Sequence, residues 1–136
     1  MWGRSKIKLK KLITSTKGLK VIGMLEFDGV GYNTDPMIPF DMGISKDFSN
    51  VAHADFLGAL TKEYLGLSYF YYTCGHECSD HASWYLQGYP STMVSESNAN
   101  PNYHTKNDNV VDVEYAANFA KLGVAYLAEV AKGTIA

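Results

Sequence analysis

Cysteine is nearly absent from this chain of 136 residues: there are two, too few for the dense disulfide framework of small secreted scaffolds. Proline is scarce as well, at 4, and no apolar run approaches the roughly 20 residues that a bilayer span requires. The first twenty residues lack the uninterrupted apolar stretch of a secretory signal. No segment repeats, no tract is of low complexity, and beyond the amino terminus no shift in composition marks a second domain. What is present is 46% hydrophobic, 13% aromatic and 19% charged, with 12 glycines, the profile of one ordinary folded domain. A domain of this length buries roughly two thirds of the surface its unfolded chain exposes, so a core can hold it without a dense set of cross-links.

Acid is missing where base concentrates. Residues 1–20 hold Arg4, Lys6, Lys8, Lys10, Lys11, Lys17 and Lys20 with no Asp or Glu; five basic and fourteen acidic residues follow, a sum of −9 inside a total of −2. The sequence thus divides into a basic arm or helix remnant, 1–19, and a body, 20–136. Such an arm could grip nucleic acid or an anionic membrane, but its only aromatic is Trp2 and no basic face continues downstream, so neither partner is expected. Leu9, Leu12 and Ile13 read instead as the apolar stripe of a solvated helix. The acidic body suits cations or substrates with a free amine.

Lys20 to Phe27 reads as a buried strand with Asp28-Gly29 at its tip. The turn formers Gly31, Asn33, Pro36, Pro39 and Gly43 predict a long loop up to Asn50. Phe56, Leu57, Leu60, Tyr64 and Leu65 recur at helical spacing, predicting a helix between Val51 and a stop at Gly66, with His53 left on its polar, solvent side. Leu67 to Thr73 reads as an aromatic strand. Ser79 or Asp80 is expected to cap a short helix to about Gln87, ended by Gly88-Tyr89-Pro90. A short strand at Thr92–Val94 and a polar loop at Asn98–Asp112 follow. From Val113 or Glu114 to Ala131, Tyr115, Phe119, Leu122, Tyr126, Leu127 and Val130 form the inner face of the clearest helix. Strands alternating with helices indicate an α/β sandwich.

The most localised chemical feature is Cys74-Gly75-His76-Glu77-Cys78. A zinc site built on it would need two further soft ligands, and there is no second cysteine pair. A zincin helix fails too, because its two histidines stand four apart on one face, whereas His76 and His81 are five apart and about 140° off at roughly 100° per residue. A cystine closing the short loop is the favoured reading; it contributes only about 2 kcal/mol, since the loop is small, but it fixes the loop's shape and implies an oxidising compartment. Asp28 at a strand end and His104 in a polar loop suit metal ligation. Taken alone, the first is more often a turn or cap residue and the second a solvated side chain.

Larger strings carry more information. CGHECSDHASWYLQGYPSTMVSES (74–97), NPNYHTKND (100–108), FAKLGVAYLAEVAK (119–132) and LEFDGVGY (25–32) resemble, in order and spacing, the carboxyl-terminal half of the co-catalytic two-zinc aminopeptidases, specifically the secreted bacterial and fungal leucine aminopeptidases. The resemblance runs from Val21 to Lys132. It implies a fragment of a three-layer α/β/α sandwich with a mixed central sheet, hydrolysis of hydrophobic amino-terminal residues from peptides, two zinc ions, and export or vacuolar location. By position, Asp28 resembles a terminal ligand of one zinc, His104 a ligand of the other, and Cys74–Cys78 the family disulfide beside the site. His76 stands where relatives commonly carry a tyrosine that hydrogen-bonds the developing oxyanion. Gly29 follows the aspartate where relatives often have a bulkier residue. The phenylalanines that wall the relatives' side-chain pocket are missing, leaving Met93 and Tyr103 as its apolar candidates.

The same resemblance exposes a shortfall. The bridging aspartate, a histidine ligand, a glutamate ligand and the adjoining base glutamate all lie upstream of Asp28 in relatives; here nothing upstream is His or Asp, the only acid is Glu26, and no Glu-Glu pair occurs anywhere. One ligand per zinc cannot hold two ions about 3.5–4 Å apart. The expectation is a truncated or divergent chain, or part of a split enzyme, inactive by itself, binding zinc weakly at most and inclined to self-associate through an exposed sheet edge. The runner-up reading is a non-enzymatic remnant or binding module; a single-zinc cyclotransferase-like enzyme ranks third.

Overall fold

The computed structural model describes residues 18, 20–33 and 41–132. The basic arm, Gly18 aside, lies outside the described residues, as do Pro36 and Pro39. The described elements run β1 (Met24–Phe27), β2 (Met42–Ser45), α1 (Val51–Leu65), β3 (Tyr69–Tyr72), α2 (Asp80–Tyr85), β4 (Ser91–Glu96) and α3 (Val113–Lys132). The strands form one four-stranded sheet in the order β1-β4-β2-β3. β1 lies parallel to β4, β4 antiparallel to β2, and β2 parallel to β3, so the sheet is mixed as expected.

Successive strand residues face opposite sides, and this alternation separates the core from the cavity side. Met42, Ile44 and Val94 are fully buried in a cluster with Leu57 and Leu60 of α1 and Tyr115, Phe119 and Leu122 of α3, with Leu25 and Phe27 packed against it. Phe27 meets Phe119 edge-on at 5.8 Å. On the other face Ser91 donates to the His81 carbonyl of α2, giving helices on both sides of the sheet. The α/β/α layering expected from sequence is therefore present.

Several local expectations are corrected. The long loop to Asn50 is interrupted by β2, an inner strand buried along its whole length. Gly43, read as a turn former, sits where an added Cβ would come within 3.2 Å of the Phe70 and Tyr72 rings and of Ser95, so close packing explains it better than turn chemistry. β1 begins at Met24 rather than Lys20, and β4 runs two residues past Val94. Tyr64 and Leu127, placed inside by helical spacing, are 51% and 67% exposed. Tyr64 donates instead to Glu129 across the α1–α3 pair.

His53 is buried, not on the surface. Its Nε2 lies 2.9 Å from the Tyr126 hydroxyl and its Nδ1 3.0 Å from Thr92 Oγ1. Thr92 gives its own proton to the Ser91 carbonyl, so Nδ1 must donate to Thr92 and Nε2 must accept from Tyr126. That fixes the neutral tautomer, and burial holds the imidazole below its ordinary pKa. The polar side of α1 faces α3 and β4 at this position, which a single-helix pattern cannot reveal.

The short helix α2 is not capped from its own turn, since Ser79 makes no capping bond to it. The cap comes from β1: the Glu26 carboxylate accepts from the backbone N–H of Asp80 and of His81 and from the Ser79 hydroxyl. Burial raises the Glu26 pKa, and the contacts from the His81 ring, Ser79 and the two N–H groups outweigh it, leaving the carboxyl below the ordinary 4.5.

Two outcomes follow. Tyr126→Phe, by leaving Nε2 of His53 buried without its donor, should cost about 1–3 kcal/mol in urea unfolding at pH 7. Because His53 titrates lower folded than unfolded, its contribution is full above the unfolded value of about 6.5 and falls as acid charges the unfolded ring; a stability profile flat between pH 7 and 5 would contradict this. Glu26→Gln should cost about 1 kcal/mol, the size of a lost cap. Its deficit against the native chain should shrink once the pH drops below 4.5, because a carboxyl with a depressed pKa stabilises only while ionised.

Candidate functional site

Asp28 follows β1 directly, at the tip of an outer strand. Its N–H donates to the Val94 carbonyl of β4, and its Oδ2 accepts from the Ser79 hydroxyl at 2.6 Å. Ser79 also reaches Glu26 at 2.9 Å, so one hydroxyl proton serves two carboxylates and ties Asp28 to the start of α2. Gly29 turns the chain with φ +70°, a left-handed conformation that glycine adopts without strain. The chain beyond is held by Glu96, whose Oε2 accepts from the N–H of Gly31 and Tyr32 at 2.9 and 2.8 Å.

Cys74 and Cys78 form a disulfide, as the spacing favoured. The loop is pinned from outside by Asp47, at the end of the β2 segment, which accepts from the Gly75 N–H at 2.7 Å and the Ser45 hydroxyl at 2.9 Å. Burial raises the Asp47 pKa, and the donors from Cys74, Ser45 and Gly75 outweigh it and lower the net value. His76, exposed at the loop's middle, has Nδ1 3.0 Å from the Cys74 carbonyl. A carbonyl only accepts, so Nδ1 carries the proton; the neutral ring then offers a lone pair at Nε2, and only the imidazolium offers a second donor.

His104 is exposed, stands at φ +62° and stacks on Tyr103 with ring centroids 3.9 Å apart. Histidine tolerates this left-handed region better than most non-glycine residues, yet it remains uncommon there. The polar loop around it is self-bonded through Asn100, Asn102, Thr105 and Asp108.

Asp28, Cys74, His76, Cys78, Met93, Tyr103 and His104, the seven residues singled out from sequence, line one cavity of about 440 Å³. Its wall also includes Tyr72, Ser95, Glu96 and Asn100, which sequence reasoning did not single out. Met93 is 5% exposed and forms part of the floor, whereas Tyr103 is 49% exposed at the mouth. The field in the cavity is negative. Burial and then the charges of Asp28, Glu96 and Asp108 raise the Tyr103 pKa; burial, with Asp47, Asp28 and Glu26, raises that of Tyr72. A cation or a protonated amine is favoured there.

A pair of zinc ions does not fit what the described residues supply. No group of three or more His, Cys, Asp or Glu side chains is arranged to hold a metal among the described residues. Asp28 already accepts from Ser79, and the two thiols are consumed in the cystine. The residues that sequence reasoning missed, Glu26, Asp47 and Glu96, all act through backbone N–H groups far away in the chain. Nothing in local spacing marks them.

Comparison with known proteins adds a family. Residues 9–129 match Peptidase family M28. Leucine aminopeptidase 1 of Trichophyton rubrum is 37% identical over 123 residues, 85% of this chain and 33% of that protein. A probable leucine aminopeptidase of Trichophyton verrucosum (strain HKI 0517) is 33% identical over 119 residues, 84% of this chain and 31% of its own. Among solved structures, the Legionella pneumophila LapA aminopeptidase superimposes with a TM-score of 0.79 at 29% identity, covering 85% of this chain and 32% of that one. LapB from the same organism gives 0.80 at 28%, covering 87% and 33%. The chain spans about a third of the length of the curated relatives it matches. With nearly its whole length matched to the family and the fold shared with the solved LapA aminopeptidase, the chain belongs to peptidase family M28.

Proposed function

We infer that this chain forms the carboxyl-terminal portion of a zinc-dependent aminopeptidase site that removes hydrophobic amino-terminal residues from peptides, and that it has no appreciable activity by itself. The observation that carries this is the convergence of Asp28, His104 and the cystine loop on one acidic cavity. A peptide's protonated α-amine is drawn to that field, with Asp28 and Glu96 as the nearest carboxylates in the wall. Met93 offers apolar contact at the floor and Tyr103 at the mouth, which supports a preference for large apolar first residues. His76 can serve as an oxyanion donor only as the imidazolium, because its Nδ1 proton is committed to Cys74.

Zinc is inferred from the family resemblance. Asp28 and His104 would be its ligands from this chain, and further ligands must come from elsewhere; no catalytic step is assigned to this chain alone. The cystine supports folding in an oxidising compartment, consistent with an exported or vacuolar protein. No described helix is long and apolar enough to cross a membrane. The second reading, a non-enzymatic remnant or binding module, is favoured by the want of any three-ligand group among the described residues.

Supplied with zinc, the purified chain should show no hydrolysis of leucine p-nitroanilide above the buffer rate. Turnover that scales with the chain and vanishes in His104→Ala would refute the claim of inactivity. In a zinc titration by calorimetry the chain should bind no ion tightly. Two tightly held ions per chain would mean that oligomerisation completes the site, and would overturn that expectation.

A further inference from the structure

Four side chains able to bind a soft divalent cation stand together at the cystine, and the sulfur–sulfur bond keeps two of them out of use. Cys74 and Cys78 are half-buried and line the cavity of about 440 Å³ together with His76, which lies between them in the chain, and Asp28, at the tip of β1. With the cystine closed, no three described His, Cys, Asp or Glu side chains form a metal site. Opening it changes that count. The cysteines are 4 apart in sequence, a spacing common in zinc loops. Two thiolates on one tetrahedral zinc, each about 2.3 Å from the metal, lie about 3.8 Å from one another. Side chains whose Cα atoms stand 6.2 Å apart can reach that separation.

The loop is also shaped by bonds that do not pass through sulfur. Asp47 accepts from the Gly75 N–H at 2.7 Å, the His76 carbonyl from the Cys78 N–H at 2.8 Å, and the Cys74 carbonyl from His76 Nδ1 at 3.0 Å. The last of these leaves the Nε2 lone pair of the neutral ring for a cation. Metal-ligating histidines are ordinarily oriented in this way, with the other ring nitrogen bonded to a backbone carbonyl or a carboxylate. Asp28 is tied to the same place, since Ser79, the residue after Cys78, donates to its Oδ2 at 2.6 Å. We propose that reduction of the cystine turns this wall of the cavity into a zinc site made of Cys74, Cys78, His76 and Asp28, so that the disulfide and a bound cation are alternative clasps for one loop. The reductant is a small dithiol, which closes to its own disulfide, or a water-soluble phosphine, which takes oxygen from water to become its oxide. Either way two electrons break the sulfur–sulfur bond and two protons make two thiols. When zinc binds, both thiol protons pass to solvent and two sulfur–zinc bonds form. The claim uses only residues between 28 and 78 and is independent of the aminopeptidase reading.

The test titrates the purified chain with cobalt(II) and with zinc, before and after reduction by a phosphine in the absence of air. The oxidised chain should bind neither tightly. The reduced chain should take up one ion, cobalt giving the intense visible bands of a tetrahedral centre and a thiolate-to-metal charge-transfer band in the near ultraviolet, with zinc displacing it. Alkylation of the two thiols should stop while zinc is bound and resume when a chelator is added. Cys74→Ser, Cys78→Ser, His76→Gln and Asp28→Asn should each weaken zinc binding by about tenfold or more, because even partners behind the ligands are worth that much. Circular dichroism matching the reduced native chain will show that these variants fold. A cobalt spectrum without tetrahedral or thiolate bands overturns the proposal, as does a reduced chain that loses its helical dichroism before any metal is added. Zinc held as tightly by the oxidised chain overturns it too, since the sulfurs would then play no part. Affinity lost in His104→Ala but kept in His76→Gln and Asp28→Asn would refute the assigned ligands.

Discussion

Much of this structure depends on the carboxylate of Glu26. It projects from an outer strand to the face opposite the core and there satisfies the first N–H groups of α2, a helix of six residues too short to persist unaided. Through Ser79 it also fixes the Asp28 carboxylate. The tip of β1 and the segment following the cystine are thereby held together across 51 positions of sequence.

Glu26 is not alone in this role. Glu96 takes the N–H groups of Gly31 and Tyr32, and Asp47 takes that of Gly75, so three carboxylates each anchor a loop by its backbone donors. Part of the acidic composition is therefore spent on loop geometry, and its attraction for cations is a by-product concentrated where the three loops meet. A small residue finishes the arrangement: a Cβ added at Gly43 would stand 3.2 Å from Ser95 Oγ and from the Tyr72 ring, so a larger residue there would require those neighbours to shift.

Periodicity located the two long described helices within a few residues, since α1 and α3 bury a repeating apolar stripe, and α1 ends at Gly66 as expected. It misjudged single positions such as Tyr64 and Leu127, because a helix period gives the direction of the core but not how far the core extends. β2 escaped notice for a different reason. Four residues with a glycine among them have no strand signature of their own, and Met42–Ser45 is extended because β4 and β3 supply backbone partners on both sides. His53 was misplaced because its partners, Thr92 and Tyr126, lie 39 and 73 residues away. The cavity's residues were recognisable as strings; the carboxylates that position them were not, since each acts on main-chain atoms that any residue possesses.

The strand order carries one more implication. Among the described strands β4, which lies between β1 and β2, comes last in the chain, and the register of β1 on it is complete only once residue 94 exists. β2 and β3, both earlier in the chain, can pair with each other before β4 is made, whereas β1 waits without its partner while α1 and its apolar face are already complete. The contacts that close the sheet span more than sixty residues, which makes closure slow compared with helix formation. Until then β1 presents unpaired backbone groups, the kind of surface on which partly folded chains associate wrongly.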